Sequence, residues 1–331
     1  MSKNIAILAG GNSSEFPVSM NSAKTLEDSL KNTDYRTFKI ILKGTEWKLH
    51  WNDREYEVDK NDFSVPLENE TLYFDCVLII IHGTPGENGV LQGYFEALNI
   101  PYSTCGVLSS SLTFNKIFSK NYIFGYGIPV SRFKIIRKNH PYDTKEILEE
   151  TGLPCFVKPN RGGSSFGITK VFQENELEDA IEKAFEEDHE VLAEEYLEGT
   201  ELTCGLIKTE GKEYIFPSTE IVSKNEFFDY EAKYTKGMAD EITPARISEE
   251  LEKEVRQLSS KIYDIFACRG IVRIDYIYTN GQLYFMEVNT IPGMSAASIV
   301  PQQIRAAGYT LQEMLIIAIE DAIENNDKEG I

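Results

Sequence analysis

Two short segments carry the densest chemistry in the chain, Arg273-Ile274-Asp275 and Glu287-Val288-Asn289. They lie in the runs VRIDYIY and QLYFMEVN, separated by Thr279-Asn280-Gly281. Both runs are rich in Ile, Val, Tyr and Phe and flank a Gly-containing turn, which reads as a β-hairpin. Strand side chains alternate faces. A three-residue loop with Gly281 in the left-handed conformation sets Asp275 opposite Phe285 and Arg273 opposite Glu287. Arg273, Asp275, Glu287 and Asn289 then share one face, and Ile274, Tyr276, Tyr284, Met286 and Val288 take the other. Two carboxylates and an amide oxygen so close together suit a hard cation, and Mg²⁺ is commonly held by one or two carboxylates plus substrate phosphates. The alternative is a solvated polar face with a surface Arg–Glu pair. The shared face requires an odd-numbered loop, so a two-residue Asn280-Gly281 turn would contradict it.

Other constellations surround the hairpin in sequence. Phe156-Val157-Lys158-Pro159 ends a strand, and Gly162-Gly163-Ser164-Ser165-Phe166-Gly167 follows. Small residues let backbone N–H groups approach phosphate oxygens, and Lys158 adds a charge. The loop is not GxxxxGK[ST], and no GxGxxG follows the first strand. A flexible hairpin loop is the bland reading. Lys116 and Lys120 stand one helical turn apart, a spacing that usually means a solvated face. Glu194-Glu195-Tyr196-Leu197 and then Glu201 could supply acceptors for an adenine and a ribose, or could be an acidic strand end. Glu15 could hold an ammonium group, or favour a helix N-terminus. His82 ends an apolar strand, as a structural or a site histidine. Lys233-Tyr234 lies in a long aperiodic stretch, and alone would be surface.

The elements that must position these residues are legible in outline. Ile5 to Ala9 is a short apolar strand, Val18 to Leu30 a helix and Tyr35 to Leu42 a strand. Residues 44–70 read as a small meander or insertion. Cys76 to Ile81 is a fully apolar strand, as in a parallel sheet covered on both faces, and Asn88 to Leu98 a helix. This is a doubly wound α/β unit, whose ligands bind at the carboxyl ends of the strands. The loops there are Gly10 to Glu15 and His82 to Glu87. Helices follow near 108–127, then strand 132–136, helix 143–151, strands 155–158 and 168–172, helix 175–187 and strand 190–196. Strands near 202–209 and 213–217 precede a polar, aromatic stretch over 225–245, long enough to be an active-site lid. Ser248 caps a helix with Glu249 and Glu250 in its first turn. A last amphipathic helix carries Leu311, Met314, Leu315, Ala318, Ile319 and Ala322.

Composition narrows the partners. The 331 residues allow two or three domains. The net charge of −20, from 33 basic and 53 acidic residues, argues against nucleic acid or an anionic membrane, since phosphate backbones need clustered Lys and Arg. No apolar run approaches a membrane span. The start, MSKNIAILAGG, enters a strand without a long apolar leader region. Cys76, Cys105, Cys155, Cys204 and Cys268 are odd in number, far apart and without CxxC, which fits buried reduced thiols in a cytoplasmic protein.

The ordered set GGNSSE, HGTPGENG, GGSSFG, EEYLEGTEL, EAKY, RID and EVNTIPGM resembles the D-alanine–D-alanine ligases of the ATP-grasp superfamily, from about residue 4 to 325. The resemblance implies an ATP-grasp fold preceded by a doubly wound parallel α/β domain: residues 1–108, a central subdomain over 109–199 and a C-terminal one over 200–331, with the lid at about 225–245. It implies two Mg²⁺ (or Mn²⁺) ions on Asp275, Glu287 and Asn289, with Glu287 bridging. Lys116, Lys158 and the lid residue Lys233 match the ATP phosphate contacts, and Glu194, Leu197 and Glu201 those to adenine and ribose. Glu15, Ser164 and Tyr234 match the hydrogen-bonded set around the first D-alanine, with His82 nearby. Arg273 and the Gly293 N–H match the oxyanion stabilisers, and Ser298 the contact to the second substrate's carboxylate.

The implied activity is ATP-dependent joining of two D-alanines through D-alanyl phosphate, for peptidoglycan precursor synthesis, in a cytoplasmic homodimer. Tyr234, where phenylalanine goes with D-lactate as second substrate, implies a dipeptide product. Asn115, Asn88, Glu195 and Ser295 depart from the usual pattern. The rivals are a ligase of other acceptor specificity, a nucleotide-dependent dehydrogenase, which lacks its GxGxxG, and a non-catalytic nucleotide-binding regulator, which should have lost metal ligands or Lys158.

Overall fold

The computed structural model describes residues 2–163, 166–223 and 239–329. The first sheet runs in the order β4-β3-β2-β1-β7, from β1 (Asn4–Gly10), β2 (Arg36–Lys43), β3 (Glu46–Trp51), β4 (Arg54–Glu57) and β7 (Cys76–Ile79). β1 is parallel to β2 and β7, and Ile5 to Ala9 are fully buried, as a strand covered on both faces demands. Among the described residues these three are the strands that pair in parallel. The segment over 44–70 extends the sheet antiparallel through β3 and β4 and adds the small ladder of β5 (Val65–Pro66) and β6 (Thr71–Leu72). Aromatic edges hold it down: Phe63 meets Phe95 at 4.9 Å and Trp47 meets Tyr94 at 5.2 Å between centroids, each pair contributing about 0.5–1.5 kcal/mol beyond its burial. Gly10 turns the chain at the carboxyl end of β1 with φ +99°, where a Cβ would lie 2.4 Å from the Leu42 carbonyl. α1 (Phe16–Leu30) follows, and α2 (Val90–Ala97) follows the second loop.

α3 (Val107–Phe114) and α4 (Lys116–Phe124) lead to a four-stranded antiparallel sheet, β10-β9-β11-β8. Its strands are β8 (Phe133–Arg137), β9 (Cys155–Pro159), β10 (Thr169–Val171) and β11 (Glu190–Glu195). α5 (Thr144–Thr151) and α6 (Leu177–Phe185) bury Ile147, Ile181 and Ala184 with Val157 and Val191 of this sheet. The third sheet runs β15-β14-β12-β16-β17, with β13 (Lys212–Ile215) also on β12. Its strands are β12 (Thr200–Thr209), β14 (Thr219–Ser223), β15 (Ala239–Ile242), β16 (Val272–Thr279) and β17 (Gln282–Asn289). α7 (Glu249–Ile265) packs on it, and the Ser248 hydroxyl accepts from Leu251 N at 3.2 Å, the expected cap.

Three elements escaped the sequence, β14 and β15 among them. β14 and β15 pair with each other, so 239–242, read as loop, is strand. α8 (Ile299–Ala306) was not foreseen; it begins at Ser298 and sits before α9 (Leu311–Glu329). α9 buries Met314, Leu315, Ala318 and Ile319 in the core cluster of the first sheet.

The hairpin corrects the expected turn. Thr279 pairs with Gln282, so the loop is the two-residue Asn280-Gly281 type, with φ +51° and +78° at the two positions. Such a loop alone would carry the ladder on to Ile274 opposite Glu287 and turn that carboxylate toward the core. A bulge intervenes: Tyr276 pairs with Phe285, but Asp275 pairs with Glu287, leaving Met286 as the extra residue. One residue more on one strand shifts the register and redirects the side chains beyond it. Arg273 then opposes Asn289, and all four polar residues share a face. Ile274, Tyr276, Phe285 and Val288 lie in the core beneath it. The shared face stands, and Phe285 belongs to the core rather than opposite Asp275.

Candidate active site

The polar face of β16 and β17 is a worked network. Arg273 Nε donates to Asp275 Oδ1 at 2.9 Å, and its Nη2 donates to Oδ2 at 2.7 Å. Asn289 Nδ2 donates to Oδ2 at 2.9 Å, and Thr203 on β12 donates its hydroxyl to Oδ1. Burial works against the Arg273 charge, but Asp275, with Glu287 and Glu201 behind it, outweighs burial and raises the guanidinium above its ordinary range. Among the described residues no group of three or more His, Cys, Asp or Glu is arranged to hold a metal. Asp275, Glu287 and Asn289 are instead two carboxylates and an amide on one face. That donor set suits a hard cation completed by substrate oxygens. Rotating the Asn289 amide exchanges its donor for its acceptor oxygen, which makes room on Asp275 without moving the backbone.

The first sheet delivers the opposite wall. Glu15 stands at the N-terminus of α1, and a Cβ added at Gly163 would lie 2.9 Å from its Oε2. The loop after the first strand and the loop that follows β9 therefore meet at Glu15. His82 is 6% exposed, its Nε2 has no hydrogen-bond partner among the described residues, and burial lowers its pKa. Glu87, which sequence reasoning did not single out, takes the Gly83 N–H on Oε2 at 2.7 Å. Burial, reinforced by the Glu15 carboxylate, pushes its pKa up to about 8. Two carboxylates crowded into one buried wall favour leaving one protonated.

Lysines organise the side of the site next to the loop that follows β9. Lys116 opens α4, donates from Nζ to the Gly162 carbonyl at 2.9 Å and stands 3.6 Å from Glu287 Oε2. Lys158 ends β9 and is ion-paired with Glu194. Lys120 is not on a solvated face. It is fully buried, 2.7 Å from Glu194 Oε1 and 2.8 Å from Ser131 Oγ. Burial alone would raise the Glu194 pKa, yet Lys120 and Lys158 together hold it at about 2. Glu194 thus sits on two ammonium groups. Glu195 accepts from Arg132 Nε and from Arg132 N, each at 2.7 Å. Leu197 is half-buried in the link between β11 and β12. Glu201 lies on the Asp275 face of β12, opposite Ile277, where its charge reaches Arg273. Asn115 keeps the capping role of a short polar residue, accepting from Phe118 N at 3.0 Å, and Asn88 Oδ1 accepts from Val90 N at 3.2 Å.

At the far end Ser295 Oγ and Ser298 Oγ are 2.7 Å apart, at the start of α8. A Cβ at Gly293 would lie 2.9 Å from Ser298 Oγ, so a side chain there would displace that hydroxyl. Glu15, His82, Glu87, Lys116, Arg273, Glu287, Asn289, Gly293 and Ser298 line one cavity of about 350 Å³. A larger cleft of about 1140 Å³ beside it shares Glu15, Lys116, Gly162, Gly163 and Glu287. Ser164, Lys233 and Tyr234 lie outside the described residues. Glu87 had a signal in the sequence, the acid of HGTPGENG. The role of Lys120 had only its spacing.

Two family profiles match the chain: D-ala D-ala ligase N-terminus over residues 4–105 and D-ala D-ala ligase C-terminus over 123–320. A D-alanine–D-alanine ligase of Phocaeicola vulgatus is 49% identical over 323 residues, spanning 97% of this chain and 99% of its own. That of Flavobacterium johnsoniae is 45% identical over 319 residues, spanning 96% and 98%. Among solved structures, the VanG D-Ala:D-Ser ligase from Enterococcus faecalis superposes with TM-score 0.87 at 32% identity, covering 98% of this chain and 100% of its own. The D-alanine–D-alanine ligase from Bacillus anthracis complexed with ATP superposes with TM-score 0.79 at 30% identity, covering 99% and 100%.

Proposed function

The chain belongs to the D-alanine–D-alanine ligase family, and we propose from that premise that it joins two D-alanines with ATP, releasing ADP and phosphate. The observation that carries the reading is the single cavity on which Glu15, His82, Lys116, Arg273, Glu287, Gly293 and Ser298 converge. A carboxylate is a poor acyl donor. Transfer of the γ-phosphoryl group to the first D-alanine carboxylate gives an acyl phosphate and ADP. The amine of the second D-alanine attacks the carbonyl carbon, the C–O bond to phosphate breaks, and the amine loses its proton.

Phosphoryl transfer depends mainly on positioning and charge neutralisation. Lys116, bound to the Gly162 carbonyl, supports a role at the phosphates. Lys158 and Lys233 take the same role by motif position, as Glu194, Leu197 and Glu201 take the nucleoside. Lys120 supplies Glu194 with a counter-charge of its own, so Lys158 can turn to an anion without leaving Glu194 unpaired. Glu15 takes the ammonium of the first D-alanine, in one set with Ser164 and Tyr234 and beside His82. Arg273 and the Gly293 N–H face the developing oxyanion. Asp275, Glu287 and Asn289 would hold two Mg²⁺ (or Mn²⁺), which would polarise phosphoryl oxygens. Ser298, at the positive end of α8, takes the acceptor's carboxylate.

The biological setting we assign is the cytoplasm, in peptidoglycan precursor synthesis. Among the described residues no helix is long and apolar enough to cross a membrane. A homodimer is assigned with the family. The deciding assay is phosphate release from ATP and Mg²⁺ with D-alanine. Release that needs a different amino acid or hydroxy acid refutes the assignment.

A further inference from the structure

Glu241 was singled out by no sequence motif. It is the third residue of β15, paired with Ile221 of β14. It lines the same cavity as Arg273, Ser295, Ala297 and Ser298. Gln302 Nε2 donates to its Oε2 at 2.6 Å and also to the Ala297 carbonyl at 2.9 Å. Gln302 lies one turn into α8, its N–H bonded to the Ser298 carbonyl at 3.2 Å. The carboxylate is therefore fixed beside the first turn of that helix. Its partner there is a neutral amide, which orients the charge without cancelling it. Arg273, whose field also reaches Glu241, gives its Nε and Nη2 to Asp275. Burial raises the Glu241 pKa above the ordinary carboxylate range, with Gln302 and Arg273 opposing.

Those two features complement the two ends of an α-amino acid. The N-terminus of α8 offers N–H groups and a positive dipole end to a carboxylate. Glu241 offers a negative group to an ammonium one helical turn away. A hydroxy acid would satisfy the first and leave the second without its cation. We propose that Glu241 binds the ammonium group of the acceptor amino acid and sets the preference for an amine over a hydroxyl acceptor. This rests on the ligase reading and names a determinant of its acceptor specificity.

The test uses the full-length chain, saturating ATP and Mg²⁺, and three acceptors: D-alanine and D-serine, which carry an ammonium, and D-lactate, which does not. In Glu241→Gln the KM for the acceptor amino acids should rise about 10- to 100-fold, the value of a hydrogen bond to a charged group. The KM for ATP and for the first D-alanine should stay within about twofold of wild type, as expected of sites that do not touch Glu241. The ratio of D-lactate product to dipeptide should rise by the same factor as the acceptor KM. Gln302→Met, which keeps the charge but frees it, should raise the same KM by less, and Glu241→Asp should recover part of the loss. An unchanged acceptor KM and product ratio in Glu241→Gln overturns the proposal, as does an equal loss for ATP and both D-alanine sites. Should Glu241→Gln not fold, an unchanged acceptor KM in Gln302→Met overturns it. Wild-type protein that releases no phosphate with D-alanine refutes the ligase reading instead, an outcome distinguishable from either.

Discussion

Lys120→Met tests the reading of the phosphate side most searchingly, because it removes a charge that need never touch a substrate. Lys120 is fully buried, and Glu194 holds both it and Lys158. Breaking a buried pair from one side costs about 3–5 kcal/mol, because a charge is left uncompensated. Here Lys158 remains on Glu194, so the low end applies, about 3 kcal/mol. Function should suffer in a distinctive way. With Lys120 gone, Lys158 is the only ammonium left on Glu194 among those now seen there, and it is held back from an anion. The KM for ATP should rise while that for D-alanine changes little. Chemical denaturation followed by circular dichroism gives the stability, and phosphate release at varied ATP gives the KM. The double variant Lys120→Met with Glu194→Leu, which removes both charges, should regain most of the stability without regaining ATP affinity. A Lys120→Met protein within about 0.5 kcal/mol of wild type, the scale of surface substitutions, and with unchanged ATP KM, refutes the argument.

Asp275→Ala and Glu287→Ala should each lower phosphate release at least about a hundredfold, since metal polarisation contributes several kcal/mol. Full activity in either would sink the ligand set. Glu87 has a folded pKa near 8 against an ordinary 4.5, so the fold favours its protonated form. Its contribution is fully present below pH 4.5 and is lost as pH rises toward 8; Glu87→Gln should flatten that slope in unfolding midpoints, and an unaltered slope contradicts it. Gly86→Ala should destabilise the protein sharply, because its Cβ would fall 1.9 Å from the Ile81 carbonyl; an unchanged melting temperature contradicts the packing described.

Much of this site was legible in the sequence because its residues lie on strongly patterned elements. The buried runs Ile5–Ala9 and Cys76–Ile81, the Ser248 cap and the alternating hairpin all follow from local rules. The hairpin shows where legibility ends. The turn chemistry of Asn280-Gly281 favours two residues, whereas the shared face was expected to need an odd-numbered loop. The loop has two residues and that expectation fails, yet the shared face forms because the bulge at Met286 supplies the extra residue. A bulge is a compromise between a turn and a distant face, and no local pattern in QLYFMEVN marks it. Lys120 was unreadable for a related reason. Burial of a lysine depends on a carboxylate 74 residues away in the chain, and spacing along one helix cannot reveal it. Glu241 and α8 were hidden by the polar stretch before one and the aperiodic segment Thr290 to Ala297 before the other. Glu87 was visible within HGTPGENG, but its protonation depends on Glu15 and on burial.

The central claim is that D-alanine's carboxylate oxygen passes to phosphate on the way to the peptide bond. D-alanine labelled with ¹⁸O in both carboxylate oxygens, incubated with ATP, Mg²⁺ and the full-length chain, tests it directly. Mass spectrometry should find one ¹⁸O in each inorganic phosphate released, and a dipeptide that has lost one label. Unlabelled phosphate alongside the same dipeptide, with the displaced ¹⁸O in water or in the nucleotide, would contradict the acyl phosphate route and the account built on it.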